Sequence, residues 1–142
     1  MPIALTPYAG EPELGDPVLT GEFAGELAKM AQNAHRPPWC SYLAWRDGQA
    51  VGSGGFKGAP DADHAVEIGY LTFIPARGSG VATALAGALV RIARTEGAAL
   101  VVAHTLPEQN SSTRVLAANG FTKTAEVHDP EDGPVWRWEL QL

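Results

Sequence analysis

Polar and apolar positions change period several times along the chain, and each change marks an element. Leu19, Phe23, Leu27 and Met30 recur at spacings of three and four, which predicts a helix with one buried face. Asp16 before Pro17 is its cap, with proline at the first helical position. His35-Arg36-Pro37-Pro38 ends it. The turn-rich opening ahead of it leaves room for one short strand near Ile3–Leu5. Ser41–Arg46 and Gln49–Phe56 flank Asp47-Gly48, a turn pair that joins antiparallel strands. Ala65–Ile74 predicts a third strand of the same meander.

The period then switches to that of a helix. Val81, Leu85, Leu89 and Ile92 mark one face, Ala82, Ala86 and Ala93 lie beside it, and Gly97 stops it. Ala98–Ala103 is an unbroken apolar run, the signature of a strand buried on both faces. Strand, helix and strand in that order predict a parallel crossover. A short helix near Ser111–Asn119 follows, with Asn110 as cap and Gly120 as stop. Phe121–His128 and Val135–Leu142 close as a hairpin. In its second arm Trp136, Trp138, Leu140 and Leu142 alternate with Val135, Arg137, Glu139 and Gln141. The predicted class is α+β: a mixed, mostly antiparallel sheet with one parallel pair in the middle and flanking helices. No repeat or linker divides the chain, so residues 1–142 read as one domain.

Composition narrows the choice of partners. The 142 residues carry 10 Lys and Arg against 16 Asp and Glu, a formal charge of −6, which argues against general nucleic-acid binding and suits cationic small molecules or basic peptides. One cysteine, Cys40, rules out an intramolecular disulfide and a cysteine-rich zinc site. No apolar run approaches the roughly 20 residues of a membrane span, and Met1-Pro2-Ile3 offers no basic n-region. The expectation is a cytoplasmic protein with no membrane, nucleic-acid or metal partner. A homodimer stays open.

The candidate chemistry lies in Arg77-Gly78-Ser79-Gly80-Val81-Ala82, between a strand and a helix. Glycines there let a ligand approach the backbone, and a helix start offers unpaired N–H groups with partial positive charge. An anion such as a pyrophosphate fits that place, with Arg77 adding a forked contact. A glycine-rich turn that only starts a helix reads the same. A Walker loop is excluded, because Val81-Ala82 stand where Lys and Ser/Thr are needed. The dinucleotide fingerprint also fails: Thr83 replaces its third glycine, and Glu96 lies at a helix end.

These residues resemble a known family. Arg77-Gly78-Ser79-Gly80-Val81-Ala82 is similar to the acyl-CoA-binding signature of the GNAT superfamily of N-acetyltransferases. The lead-in Glu67-Ile68-Gly69-Tyr70 is similar to a common form of that family's fourth strand. Asn110-Ser111-Ser112-Thr113-Arg114-Val115-Leu116, then Asn119-Gly120-Phe121, resembles its second motif. The branch containing ribosomal-protein acetylating enzymes is the most similar in these stretches. The resemblance covers roughly residues 40–142. It implies acetyl-CoA as cosubstrate, with the pantetheine arm in a splay between the parallel strands, paired to the backbone around Leu71, Thr72 and Phe73. The pyrophosphate is then expected on the amides of Gly78, Ser79, Gly80, Val81, Ala82 and Thr83. Asn110 and Arg114 are further candidates for contact with the coenzyme. Ile74 stands where the family often has a proline, which predicts a local change in the turn before Pro75.

An amine acceptor must lose a proton before or during attack, since alkyl amines ionise near pH 10. Glu67 is the first candidate for the base and His104 the second; each also reads as a structural hydrogen-bonding group. Many members protonate the departing thiolate with a tyrosine four residues before the glycine of Gly-Phe. That position is Leu116 here, and Ser112 is the nearest motif residue able to donate to the sulfur. Trp39, Tyr42, Trp136 and Trp138 are candidate walls of an acceptor pocket for a small-molecule or peptide amine. Asp129, Glu131 and Asp132 read either as an attractor for that amine or as a solvated turn. A non-catalytic acyl-CoA-binding module and a nucleotide-binding enzyme built on the same turn remain as alternatives.

Overall fold

The computed structural model describes residues 3–8, 13, 16–21 and 36–142. Its elements run β1 Ala4–Pro7, α1 Pro17–Thr20, β2 Ser41–Arg46, β3 Gln49–Phe56, β4 Ala65–Thr72, α2 Val81–Thr95, β5 Leu100–Thr105, α3 Ser111–Ala118, β6 Thr122–Asp129 and β7 Gly133–Gln141. The seven strands form one sheet in the order β1-β2-β3-β4-β5-β7-β6. Among the described residues only β4 and β5 pair in parallel; every other pair is antiparallel. This is the predicted α+β class. No helix among the described residues is long and apolar enough to cross a membrane.

The main core lies between the sheet and α2 with α3. Val66 and Ile68 of β4, Val101 and Ala103 of β5 and Trp138 of β7 meet Leu89, Val90 and Ala93 of α2 and Leu116 of α3. Glycines of β3 set how closely α2 approaches. A Cβ at Gly52 would meet the Leu71 carbonyl oxygen at 2.7 Å and Val81 at 3.4 Å; one at Gly54 would meet Leu89 at 3.2 Å. A smaller cluster, Leu43 and Phe73 with Tyr8, Leu19, Trp45 and Ala50, covers the opposite face of β2 and β3.

The predicted elements return with shifted ends. The meander strands β2 and β3 have the predicted limits, joined through Asp47 and Gly48 at φ 54° and 77°. The first strand is Ala4–Pro7 rather than Ile3–Leu5. β4 ends at Thr72 rather than Ile74. A 3-10 turn over Ile74–Ala76 follows, because Pro75 has no N–H to continue a ladder. β5 is Leu100–Thr105, not Ala98–Ala103. The N–H of Ala98 is taken by the Ala93 carbonyl, so this residue closes α2 instead of opening the strand. Asp16 caps α1 as expected, its Oδ1 accepting the Val18 N–H at 2.9 Å. Phe23, Leu27, Met30 and His35, the rest of the predicted first helix, lie outside the described residues.

Candidate active site

β4 and β5 are paired over only three rungs, Ala65↔Leu100, Val66↔Val101 and Glu67↔Val102. Beyond Glu67, β4 keeps a strand partner only on its β3 side, as far as Gly52↔Thr72. The sheet therefore opens from Ile68 onward. A cleft of about 730 Å³ lies here, lined by Tyr70, Leu71 and Thr72 of β4, the turn residues Arg77, Gly78 and Gly80, Val81, Ala82 and Thr83 of α2, and the first turns of α3.

The cleft floor at the α2 start is a bend without side chains. Gly78 and Gly80 have φ of 77° and 80°, a region other residues rarely adopt, and a Cβ at either would meet no atom within 4 Å. Gly80 caps α2 without a side-chain hydrogen bond, and the first helical bond runs from the Ala84 N–H to its carbonyl. The preceding N–H groups of Val81, Ala82 and Thr83 are the donors every helix start leaves over. The bend is held from β2. Arg46 donates to the Ser79 carbonyl at 3.3 Å and to Ser79 Oγ at 3.0 Å, while Ser79 Oγ donates to the Ala76 carbonyl.

The cleft's other wall is the start of α3. Asn110 and Thr113 form a reciprocal cap, each side chain accepting the other's backbone N–H at 3.0 Å. At the far end of this helix Asn119 donates to the Thr83 carbonyl at 3.2 Å, tying α3 to the first turn of α2. Across the cleft Tyr70 reaches this helix: its phenol oxygen is 3.2 Å from Ser112 Oγ and 3.5 Å from the Ser112 carbonyl. Burial pushes the Tyr70 phenol up, and the hydrogen bond to Ser112 offsets this only in part.

The opposite face of the sheet carries a polar network at the mouth of the splay. Glu67 Oε2 accepts from Lys57 Nζ at 2.8 Å and from His104 Nδ1 at 2.9 Å. Burial raises the Glu67 carboxyl, but hydrogen bonds and charge from Lys57 and His104 more than offset it, so the group lies below the usual carboxylate range. With Nδ1 donating to a carboxylate, neutral His104 presents Nε2 as a lone-pair acceptor. Directly paired residues share a face, so Arg137 opposite His104 and Glu139 opposite Val102 lie on this face too, as a separate ion pair joined at 2.7 Å.

The profile of the Acetyltransferase (GNAT) domain family matches residues 7–122. The chain belongs to that family. No curated protein sequence matches it. Among solved structures, the aminoglycoside acetyltransferase AAC(6')-Ib in complex with coenzyme A aligns at 20% identity and a TM-score of 0.64, over 72% of this chain and 65% of that one. This chain thus spans just under two thirds of that relative. The same enzyme with ribostamycin and coenzyme A aligns at 15% identity and a TM-score of 0.81, over 99% and 94%. RimL, a ribosomal-protein alpha-N-acetyltransferase in complex with coenzyme A, aligns at 19% identity and 0.72, over 84% and 73%. A spermidine N-acetyltransferase chimera from Vibrio cholerae and hSSAT aligns at 11% and 0.79, over 99% and 96%. These likenesses carry the GNAT fold; the family match makes the chain an acyltransferase domain.

Of the residues that the GNAT resemblance singled out, Leu71, Thr72, Arg77, Gly78, Gly80, Val81, Ala82, Thr83, Ser112 and Arg114 line the cleft together. Phe73, Ser79 and Asn110 do not line it. Phe73 is 1% exposed and gives its N–H to Val51, Ser79 is turned into the bend, and Asn110 is spent on the α3 cap. Glu67 lies on the other face, in the network described. Leu116, where many GNAT members have a tyrosine, is wholly buried.

The aromatic candidates for an acceptor pocket are placed otherwise. Trp138 is in the main core and donates from Nε1 to Thr105 Oγ1 at 3.0 Å; Tyr42 is buried there too, its hydroxyl donating to the Pro38 carbonyl. Trp39 packs edge-on against Phe56, and Trp136 packs on the same core under Lys123. In β7, period two sends the tryptophans toward the helices and Arg137 and Glu139 to the Glu67 face. Asp129 Oδ1 accepts the N–H groups of Glu131 and Asp132, so this carboxylate closes the hairpin turn. Cys40 is buried, which raises its thiol and makes it a poor nucleophile.

Sequence reasoning gave no role to Tyr70, Lys57 or Arg46. Tyr70 was within reach: it shares strand parity with the buried Val66 and Ile68, hence the helix face. Lys57 and Arg46 meet their partners only through tertiary structure.

Proposed function

We propose that this protein transfers an acetyl group from acetyl-CoA to the amine of a small-molecule or peptide acceptor, by direct attack on the thioester. The observation that carries this reading is the splay: a parallel pair that stops at Glu67↔Val102 and opens onto a side-chain-free bend at a helix start. The bend suits a pyrophosphate, with Arg77 and Arg114 adding charge. The unpaired edge of β4 suits an extended pantetheine arm by strand addition, and its N–H groups suit the oxyanion of a tetrahedral intermediate.

On this reading the two faces of the splay divide the work. The acceptor enters from the face of Glu67 and His104. His104 Nε2 takes the proton of the attacking nitrogen, and Glu67 holds the imidazole in that tautomer. The carbon–sulfur bond breaks, and the thiolate leaves toward the α3 face. An alkyl thiolate is a fair leaving group, its thiol ionising near pH 8.5, so the buried leucine at position 116 does not forbid turnover. The charge of −6 favours cationic acceptors.

The test is a panel of polyamines, aminoglycosides, amino acids and peptides with free N-termini, incubated with acetyl-CoA and followed by thiol release. Turnover with at least one amine is expected. Tight coenzyme A binding with no turnover across the panel would favour a non-catalytic acyl-CoA-binding module; no coenzyme A binding would remove the reading altogether.

A further inference from the structure

The polar pair Tyr70 and Ser112 spans the cleft between β4 and α3. Tyr70 belongs to the helix face of β4, with Val66 and Ile68, yet unlike them it ends in a polar group that lines the cleft. Its phenol oxygen faces two oxygens of a single residue, Ser112 Oγ at 3.2 Å and the Ser112 carbonyl at 3.5 Å. A carbonyl only accepts. A hydrogen donated by the phenol can go to either oxygen, and Ser112 Oγ at 3.2 Å is the nearer acceptor. With the phenol donating to Oγ, the serine keeps its own hydrogen for the cleft. Ser112 is itself held in place, since it lies within the Asn110–Thr113 cap and its helix is anchored through Asn119.

We infer that Tyr70 is a positioning residue for thiolate departure: it fixes the Ser112 hydroxyl so that this hydroxyl donates to the sulfur of coenzyme A. The inference rests on the acetyl-CoA reading above and deepens it. In the step, the carbon–sulfur bond breaks and its electron pair stays on sulfur. The Ser112 O–H stabilises that charge as a hydrogen-bond donor, and the thiolate takes its proton later from solvent. No proton leaves Tyr70. The task that a tyrosine on α3 performs in many relatives is here divided between a serine on α3 and a tyrosine reaching over from β4. Burial, which raises the Tyr70 phenol, keeps it a donor well into the alkaline range.

The test needs no acceptor. Coenzyme A and desulfo-coenzyme A, which has hydrogen in place of the thiol, are titrated calorimetrically at pH 7 and pH 9.5, on either side of an alkyl thiol's ionisation. In the wild-type protein the affinity ratio of coenzyme A to desulfo-coenzyme A is expected to rise about tenfold with pH, the scale of one charge-assisted hydrogen bond. In Tyr70→Phe, Ser112→Ala and the double variant the ratio should stay flat across the same pH interval. A merely structural Tyr70 would shift both ligands alike. A ratio that rises in Tyr70→Phe as in wild type, or one flat in wild type, overturns the assignment and leaves the coenzyme reading standing. Failure of both ligands to bind overturns the two together.

Discussion

His104 Nδ1 lies 2.9 Å from Glu67 Oε2, just past the last rung joining β4 to β5. Neighbouring strands that have begun to separate are thus still bridged by one side-chain hydrogen bond, at the mouth of the opening. Lys57 holds the same carboxylate oxygen from the end of β3. A carboxylate so engaged is a weaker base than a free one, while the imidazole it orients has no hydrogen bond at Nε2 among the described residues.

The first prediction separates the two bases. His104→Ala should lower kcat by about 10² to 10⁴-fold, the usual worth of a general base. Glu67→Gln should lower it less, because an amide oxygen still accepts from Nδ1. The pH–rate profile checks the assignment, since the Glu67 carboxyl lies below the usual carboxylate range. An acidic limb below pH 5 would assign the base to Glu67.

A second concerns acid stability. The folded-state ionisation of Glu67 lies below its unfolded value, so its contribution is present above about pH 4.3 and fades as pH falls through the folded value. Lys57→Met removes one cause of that depression. The variant should melt below wild type at pH 7, and the gap should narrow as pH falls through the folded value. A gap independent of pH would place the effect elsewhere.

Gly80→Asp sets a side chain and a negative charge where the bend has open space. Asp tolerates a left-handed backbone better than most residues, so the fold should persist. Coenzyme A affinity should fall more than tenfold, with far-ultraviolet circular dichroism unchanged. Unaltered affinity would move the diphosphate away from the start of α2.

Gly52→Ala tests how α2 is seated. Its Cβ would come within 2.7 Å of the Leu71 carbonyl, a backbone atom that cannot swing away. Overpacking of this kind costs about 1–3 kcal/mol, readable by denaturant titration. Because Leu71 borders the cleft, coenzyme A affinity should fall as well.

Local rules explain why so much of this was legible. The Asp47-Gly48 turn, the Asn110 cap and the glycines at 78 and 80 act within a few residues, and all hold in the structure. Element ends were less legible, because competing partners decide them. Ala98 looks like a strand residue until its N–H is seen to close α2 on Ala93. The placing of the aromatic side chains was less legible for a related reason. Alternation in β7 separates Trp136 and Trp138 from Arg137 and Glu139, but does not say which set faces the helices.

The sequence by itself determined the order of elements, the parallel crossover and the bare bend at the start of α2, since periodicity, capping and glycine conformation are properties of neighbouring residues. Only the tertiary structure decided where β4 and β5 part, that Glu67 shares its carboxylate with Lys57 and His104, and that Tyr70 meets Ser112. Those contacts join residues 10, 37 and 42 positions apart. No local pattern encodes such distances; they exist once strand register and helix packing bring the side chains together.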